Sequence, residues 1–340
     1  AWGLNDYGQL VVCRTYYNGV SANGVPKASQ NNVIQVQFPK APDGSDTLIK
    51  NISAGRYHAL AVTTKGLVYA WGRNDYGQLG DNSRSNRSTP TLVHGLNNAG
   101  ATADTNYLTD IIQVAAGEQW SLALTNTGRA YAWGRDDSGQ LGDNTGTAYW
   151  QYPIRVRGSR GGGYMENVID IAAGDVHGIV VRSDGSAYSW GLSDTGRLGL
   201  GSGNRGDSRN RKLAPERVML NDQQQLTNVI GVAAGSAHSM ILNRSGEVYA
   251  WGRNNEGQVG SGSTTATIWY PTKVEGLSDI TSVVANGNHS AAQKLSGATA
   301  VNGTAKQEYL VYTWGSNSKG QLVNGTAITG TGAVTMRNTP

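Results

Sequence analysis

Apolar residues in this chain come in short runs broken by glycine and Asx/Ser turns, and no stretch shows the 3.6-residue period of an amphipathic helix. In one unit, Ile49, Ile52 and Ala54 lead into Gly55, and Ala59-Leu60-Ala61-Val62 then reads as a strand. Thr64-Lys65-Gly66 reads as a turn and Leu67-Val68-Tyr69-Ala70-Trp71 as the return strand, which predicts a hairpin. The turn recurs as Asn126-Thr127-Gly128, Ser183-Asp184-Gly185 and Arg244-Ser245-Gly246. Beyond Trp71-Gly72 an Asx-rich turn closes at Gly77, and Gln78-Leu79 is expected to begin an edge strand. A Pro-x-x-Val segment follows (Pro90 to Val93, Pro153 to Val156, Pro215 to Val218, Pro271 to Val274), and proline is tolerated at a sheet edge, where no ladder N–H is needed.

The pattern repeats. Trp-Gly occurs at Trp2, Trp71, Trp133, Trp190, Trp251 and Trp314, at spacings between 57 and 69 residues. A second motif precedes it in step: Ala54-Gly55-Arg56-Tyr57-His58, Ala116-Gly117-Glu118-Gln119-Trp120, Ala173-Gly174-Asp175-Val176-His177 and Ala234-Gly235-Ser236-Ala237-His238, with a shorter fifth copy, Asn286-Gly287-Asn288-His289. Self-similarity at this period marks an array of supersecondary units. Each unit supplies about four strands, and four-stranded antiparallel repeats close radially into β-propellers of 4–8 blades. The expected fold is therefore all-β: a propeller with six visible repeats and seven blades in the complete ring. The small residues of Ala-Gly are expected where strands crowd at the axis, and each Trp of Trp-Gly between neighbouring blades. Ala1-Trp2-Gly3 lies inside a motif and lacks an initiator Met, so residues 1–340 read as a single propeller domain cut at both ends.

Repeats with Ala233-Ala234-Gly235-Ser236-Ala237-His238-Ser239, followed by Gly246-Glu247-Val248-Tyr249-Ala250-Trp251-Gly252, resemble the regulator of chromosome condensation repeat family. So does Trp71-Gly72-Arg73-Asn74-Asp75-Tyr76-Gly77-Gln78-Leu79-Gly80, and the resemblance spans almost the whole chain. It implies a β-propeller, typically of seven blades. It implies no single function. The namesake is a nuclear guanine-nucleotide exchange factor that binds a small GTPase and nucleosomes, a secreted bacterial relative inhibits β-lactamases through its loops, and others are interaction modules. A basic nucleosome-binding tail and the exchange factor's GTPase-contacting wedge have no match in this stretch.

Composition narrows the classes modestly. The chain has 47 glycines in 340 residues, which suits many tight turns. The formal charge of +4 does not by itself call for a nucleic acid or membrane partner. One cysteine, Cys13, excludes an internal disulfide and a thiolate metal cluster. No run of 18 apolar residues is present.

The candidate chemistry is that of binding. His58, His177, His238 and His289 share one repeat position, so they read as structural; a catalytic centre needs one special residue with its partners. The Asx turns (Asn74-Asp75, Asp136-Asp137, Asn254-Asn255) lack the spaced carboxylates of an EF-hand loop and read as turn formers. Three basic loops, at Arg84/Arg87, Arg155/Arg157/Arg160 and Arg205/Arg209/Arg211, are candidates for an anionic partner, with Arg155, Arg157, Arg209 and Arg211 foremost. Trp150 and Tyr152 before Pro153, and Trp269 and Tyr270 before Pro271, fill a slot that is small or polar in other repeats, and non-scaffold loop aromatics mark a binding surface. The expectation is a non-enzymatic scaffold with no catalytic residue, metal or cofactor. It recognises a protein partner through loops as a secreted or surface-displayed, extracellular microbial protein. The alternatives are an exchange factor or chromatin-linked module, nuclear or cytoplasmic, and a carbohydrate-binding propeller with Trp150 and Trp269 as stacking platforms for a polysaccharide.

Overall fold

The computed structural model describes residues 3–4, 6–7, 9, 29–30, 35–95, 106–203, 206–263, 265–301, 304–322, 336–337 and 340. Trp2, Cys13, Arg205 and residues 96–105 lie outside them.

Five antiparallel four-stranded meanders follow one another along the chain. Blade 1 consists of Ile49–Ala54, His58–Thr63, Val68–Gly72 and Arg87–Leu92. Blade 2 consists of Ile111–Ala116, Trp120–Thr125, Ala130–Arg135 and Tyr149–Arg155. Blade 3 runs from Val168–Ala173 to Arg211–Arg217, blade 4 from Val229–Ala234 to Thr267–Lys273, and blade 5 from Ile280–Asn286 to Met336–Arg337. The first strands end around a shared axial hollow lined by Gly55, Gly117, Gly174, Gly235 and Gly287. The fourth strands form the rim.

Two expectations are corrected. The described residues hold five four-stranded blades, not six or seven. Trp-Gly marks only the third strand of a blade, whereas the Ala-Gly-x-x-His motif carries the first two. Among the described residues the Gly3–Leu4 strand of the first Trp-Gly copy pairs with Ser29–Gln30 in a two-stranded sheet. The second correction is local: Gln78-Leu79 is turn, and the fourth strand forms around Pro90.

Successive side chains of a strand point to opposite faces, and in blade 1 both faces are covered. Leu60, Val62, Val68 and Ala70 of blade 1 pack with Ile111, Val114 and Trp133 of blade 2. Ala61, Tyr69 and Trp71 on the other face meet Val36 and Phe38. That is why His58–Thr63 reads as a near-continuous buried run rather than an alternation.

A polar bolt joins each pair of blades. The indole N–H of Trp133 donates to the Gln78 carbonyl at 2.9 Å, and Ser121 Oγ donates to the same carbonyl at 2.8 Å. His58 Nε2 shares a hydrogen bond with that Ser121 hydroxyl at 2.9 Å. The bolt recurs as His177–Ser239 and His238–Ser290, each at 2.9 Å. The second-to-third interface departs from it on both sides at once: Trp120 replaces the histidine, and Gly178 stands where the serine would be. The Trp120 indole donates instead to the Gly174 and Asp175 carbonyls, both at 3.0 Å.

The axial glycines are required by close approach. A Cβ built on Gly235 would lie 2.1 Å from His238 Cε1 and 2.8 Å from the Gly287 carbonyl oxygen. Gly235→Ala is expected to lower stability by roughly 1–3 kcal/mol through overpacking. An unchanged thermal melt would show that the two blades separate freely at the axis.

Candidate partner-binding site

The outermost strand of blade 2, Tyr149–Arg155, pairs with Ala130–Arg135 with a register shift between Trp150 and Ile154, around buried Pro153. Irregular pairing of this kind re-aims side chains at a sheet edge. Trp150 and Tyr152 meet edge to face, 5.4 Å between centroids. The Trp150 indole N–H donates to Asp143 Oδ2 at 2.9 Å, which fixes the ring. Beyond the strand the chain bridges Arg157 to Tyr164 through a tight turn at Ser159–Gly161. The Tyr164 ring then lies beneath two guanidiniums, with Arg155 Cζ 4.1 Å and Arg157 Cζ 4.8 Å from its centroid. Trp150, Tyr152, Arg155, Arg157, Tyr164 and Asp143 line one pocket of about 390 Å³.

The two cations differ. Arg155 forms an ion pair with Glu166. Arg157 is in no salt bridge among the described residues, and its guanidinium rests on the ring face of Tyr164. At the positions matching Arg155 and Arg157, counted from the proline, blade 1 has Leu92 and His94, blade 3 has Arg217 and Met219, and blade 4 has Lys273 and Glu275.

The second aromatic pair is not equivalent to the first. Register sets Arg87, Trp150, Lys212 and Ile268 opposite Gly72, Gly134, Gly191 and Gly252. Trp269 is therefore one residue out of step with Trp150, and a one-residue offset turns a side chain to the other face of its strand. Trp150 packs against the core shared by blades 2 and 3. Trp269 instead lies over blade 3, its Cε3 3.2 Å from the position a Cβ on Gly196 would take. Tyr152 and Tyr270 do correspond, each directly before its proline. The Tyr270 hydroxyl donates to Asp222, and that bond holds its pKa above the usual phenol value.

The third basic loop is closed on itself. Arg211 pairs with Asp207 at 2.8 Å and donates to the Asp137 carbonyl at 2.9 Å. The backbone N–H groups of Arg209 and Arg211 both donate to Asp207 Oδ1. In the first basic loop, Arg84 stacks on Tyr149 at 5.2 Å and Arg87 pairs with Asp81 at 2.7 Å.

The Asx residues are turn keys. Asn74 Oδ1 accepts the Leu79 N–H at 2.9 Å, and Asp136, Asn254 and Asn317 do the same for Leu141, Val259 and Leu322. Tyr164 and Asp143 were missed from the sequence. The signal for Tyr164 was its place in the Gly-rich 155–168 insertion, which other repeats lack.

The description "Regulator of chromosome condensation (RCC1) repeat" fits residues 65–124, 127–181, 184–242 and 245–293, and a second profile of the same description fits 49–78, 111–140, 168–197 and 229–258. The chain is 32% identical over 277 residues to the mouse E3 ubiquitin-protein ligase HERC2, covering 81% of this chain and 5% of that one. It is 30% identical over 275 residues to the Ultraviolet-B receptor UVR8 of Arabidopsis thaliana, covering 81% of this chain and 54% of that one. The chain thus spans between a twentieth and about half of the length of these relatives. Among solved structures, human WBSCR16 superimposes with a TM-score of 0.64 at 25% identity, over 85% of this chain and 65% of that one. Yeast RCC1 (Prp20), solved bound to Kap60, superimposes at 0.55 and 21% identity, over 100% of this chain and 82% of that one, a likeness of fold alone. With two motifs in fixed order, a blade-to-blade bolt built from them, and repeat profiles that fit most of its length, this chain belongs to the RCC1 repeat family.

Proposed function

We propose that this propeller is a non-enzymatic binding scaffold that recognises a protein partner at the rim of blade 2. The observation that carries the reading is the pocket where Arg157, in no salt bridge among the described residues, lies beside Trp150, Tyr152 and Tyr164. Aromatic and arginine side chains in partly desolvated pockets dominate interface energetics. Two structures of the yeast RCC1 protein, similar to this chain in fold, are described with Kap60, Gsp1p and histones as its partners, which supports a protein as the partner class. The similarity to HERC2 covers 5% of that ligase, so the reading takes no ligase activity from it. Among the described residues no helix is long and apolar enough to cross a membrane.

The test is affinity for a partner captured from the native source. Arg157→Glu is expected to weaken binding by about 2 kcal/mol, roughly thirtyfold at 1.4 kcal/mol per decade, while the melt stays within about 0.5 kcal/mol of wild type. Trp150→Ala is expected to weaken binding similarly, with some loss of stability because its ring also packs on the core. Normal binding by both variants would place the partner elsewhere. Trp269→Ala serves as the contrast, since its ring lies over blade 3 rather than in this pocket.

A further inference from the structure

In blades 1 and 4 one Asx side chain after Trp-Gly supplies the turn with both an acceptor and a donor. In blade 1, Asn74 Oδ1 accepts the Leu79 N–H. Its amide nitrogen donates to Asp81 Oδ1 at 3.0 Å and to the Ser83 and Ser85 carbonyls at 3.1 Å. In blade 4, Asn254 Nδ2 donates to the matching Ser263 and Thr265 carbonyls at 3.0 and 3.1 Å. Blade 2 has the same turn with a different key. Asp136 Oδ1 accepts the Leu141 N–H at 2.9 Å. Asp143 holds the place of Asp81, accepting the Thr145 N–H at 2.8 Å as Asp81 accepts that of Ser83 at 3.1 Å. The donor, however, is gone: Asp136 Oδ2 stands where the amide nitrogen was, fully buried and with no hydrogen-bond partner. A bare carboxylate here would face a second carboxylate and no donor.

We infer that Asp136 and Asp143 hold one proton between them, with Asp136 Oδ2–H donating to the Asp143 carboxylate, and that this proton keeps Asp143 in place as the acceptor of the Trp150 indole N–H. The inference does not depend on what the rim pocket binds. Arg155 and Arg157 line the rim pocket together with Asp143, Arg155 being paired with Glu166. Asp143 is the like charge; Arg211, from the fourth strand of blade 3, is the opposing one, itself engaged by Asp207 and the Asp137 carbonyl; Arg135 pairs with Asp137. Burial first and Asp143 second push Asp136 up to about 8, against smaller pulls from the Leu141 N–H and Arg211. Two carboxylates that close cannot both ionise without cost.

The sign follows from linkage. A carboxyl whose folded pKa is raised binds its proton in the folded state and has released it in the unfolded state. Its stabilisation is complete below the unfolded value near ~3.9 and is lost as the pH rises to about 8. Within that window each pH unit lowers the folding constant up to tenfold. Between about 6.5, the ordinary histidine value, and about 8 the imidazoles of the unfolded chain still release protons, so the acid is read from the difference between wild type and a variant that lacks it.

The experiment is urea unfolding near pH 6.5 and pH 8 on wild type and Asp136→Asn, the substitution that restores the key of blades 1 and 4. Relative to Asp136→Asn, which carries the same histidines, the wild-type folding constant is expected to fall about ten- to thirtyfold across the interval. Equal slopes in both proteins would overturn the shared proton. The same measurements are made with calcium and with a chelator: a calcium-dependent gain in wild type that Asp136→Asn lacks would mean that a cation holds the pair together, which also overturns it. The Trp150 indole N–H resonance, assigned by its loss in Trp150→Phe, reads the second half of the inference. It is expected to shift between pH 6.5 and 8 in wild type and to stay fixed in Asp136→Asn. A resonance fixed in both proteins would overturn the link to Trp150 while leaving the proton in place.

Discussion

Replacing Trp133 with alanine is expected to bring the propeller close to unfolding. The ring is fully buried between blades 1 and 2, among Leu60, Val62, Leu79 and Val114. Its indole N–H is the donor that ties blade 2 to the Gln78 carbonyl of blade 1. Removal of a buried Trp side chain costs about 3–5 kcal/mol through lost transfer energy and the cavity left behind. Against a typical total of about 5–15 kcal/mol, that is about a fifth or more of the stability of an ordinary domain. Trp190, Trp251 and Trp314 are equally buried and bond to Gln140, Arg197 and Gln258 in the preceding blade, so each is expected to behave alike. Trp71 bonds to Gln9 and is 5% exposed. Chemical denaturation of Trp133→Ala decides the matter, and a midpoint within error of wild type would contradict the packing described here.

Acid is expected to unfold the protein through its histidines. His58, His177 and His238 are buried between blades, and burial holds their pKa values down, to about 4 for His58 and about 3 for His238. The imidazoles stay neutral in the folded protein but accept a proton in the unfolded chain below about 6.5. Their stabilisation is therefore complete above that pH and is lost as the pH falls toward the depressed folded values. For His58 alone the shift corresponds to about 3 kcal/mol at 1.36 kcal/mol per unit. With three such groups, stability should fall steeply between pH 6.5 and 4. His58→Ala is expected to flatten this limb while lowering stability at neutral pH by about 1–3 kcal/mol, the cost of a broken buried hydrogen bond. If His58→Ala kept both the neutral-pH stability and the acid limb, the ring would have no part in joining the blades. Together with the falling limb assigned to Asp136, the histidines set a stability maximum at about pH 7.

The fold was largely legible because its signals are local. A hairpin is written in a few residues: an apolar run, a Gly-containing turn such as Thr64-Lys65-Gly66, and a return strand ending in Trp-Gly. Repetition then makes each copy corroborate the others. The position of Trp133 between blades followed from its size and its place at a strand end, and the crowding at Gly55 and Gly235 from their lack of a side chain. Blade number was misread because Trp2-Gly3 was counted as a blade. A blade is four paired strands, and pairing depends on what else folds against the motif, which a two-residue signature does not carry. The aromatic slot was misread for a related reason. Trp150 and Trp269 are adjacent in phase along the sequence, but a strand separates neighbours onto opposite faces, and only the register against Gly134 and Gly252 shows which neighbour is which.

By itself, the sequence determined that this protein is an array of β-hairpins with tryptophan, histidine and glycine at fixed places, because periodicity, turn chemistry and side-chain size act within a few residues. Tertiary structure alone decided how these parts meet. His58 finds Ser121 in the next blade, 63 residues away in sequence, and Trp120 with Gly178 proves to be one paired exception rather than two. Tyr164 comes under Arg155 and Arg157 only when the insertion folds back, and Asp136 becomes an unpaired buried oxygen only when Asp143 is set against it. Such contacts join residues that are distant in sequence or turned by strand register. Their energies depend on burial and distance, which are properties of the folded arrangement and not of any segment read alone.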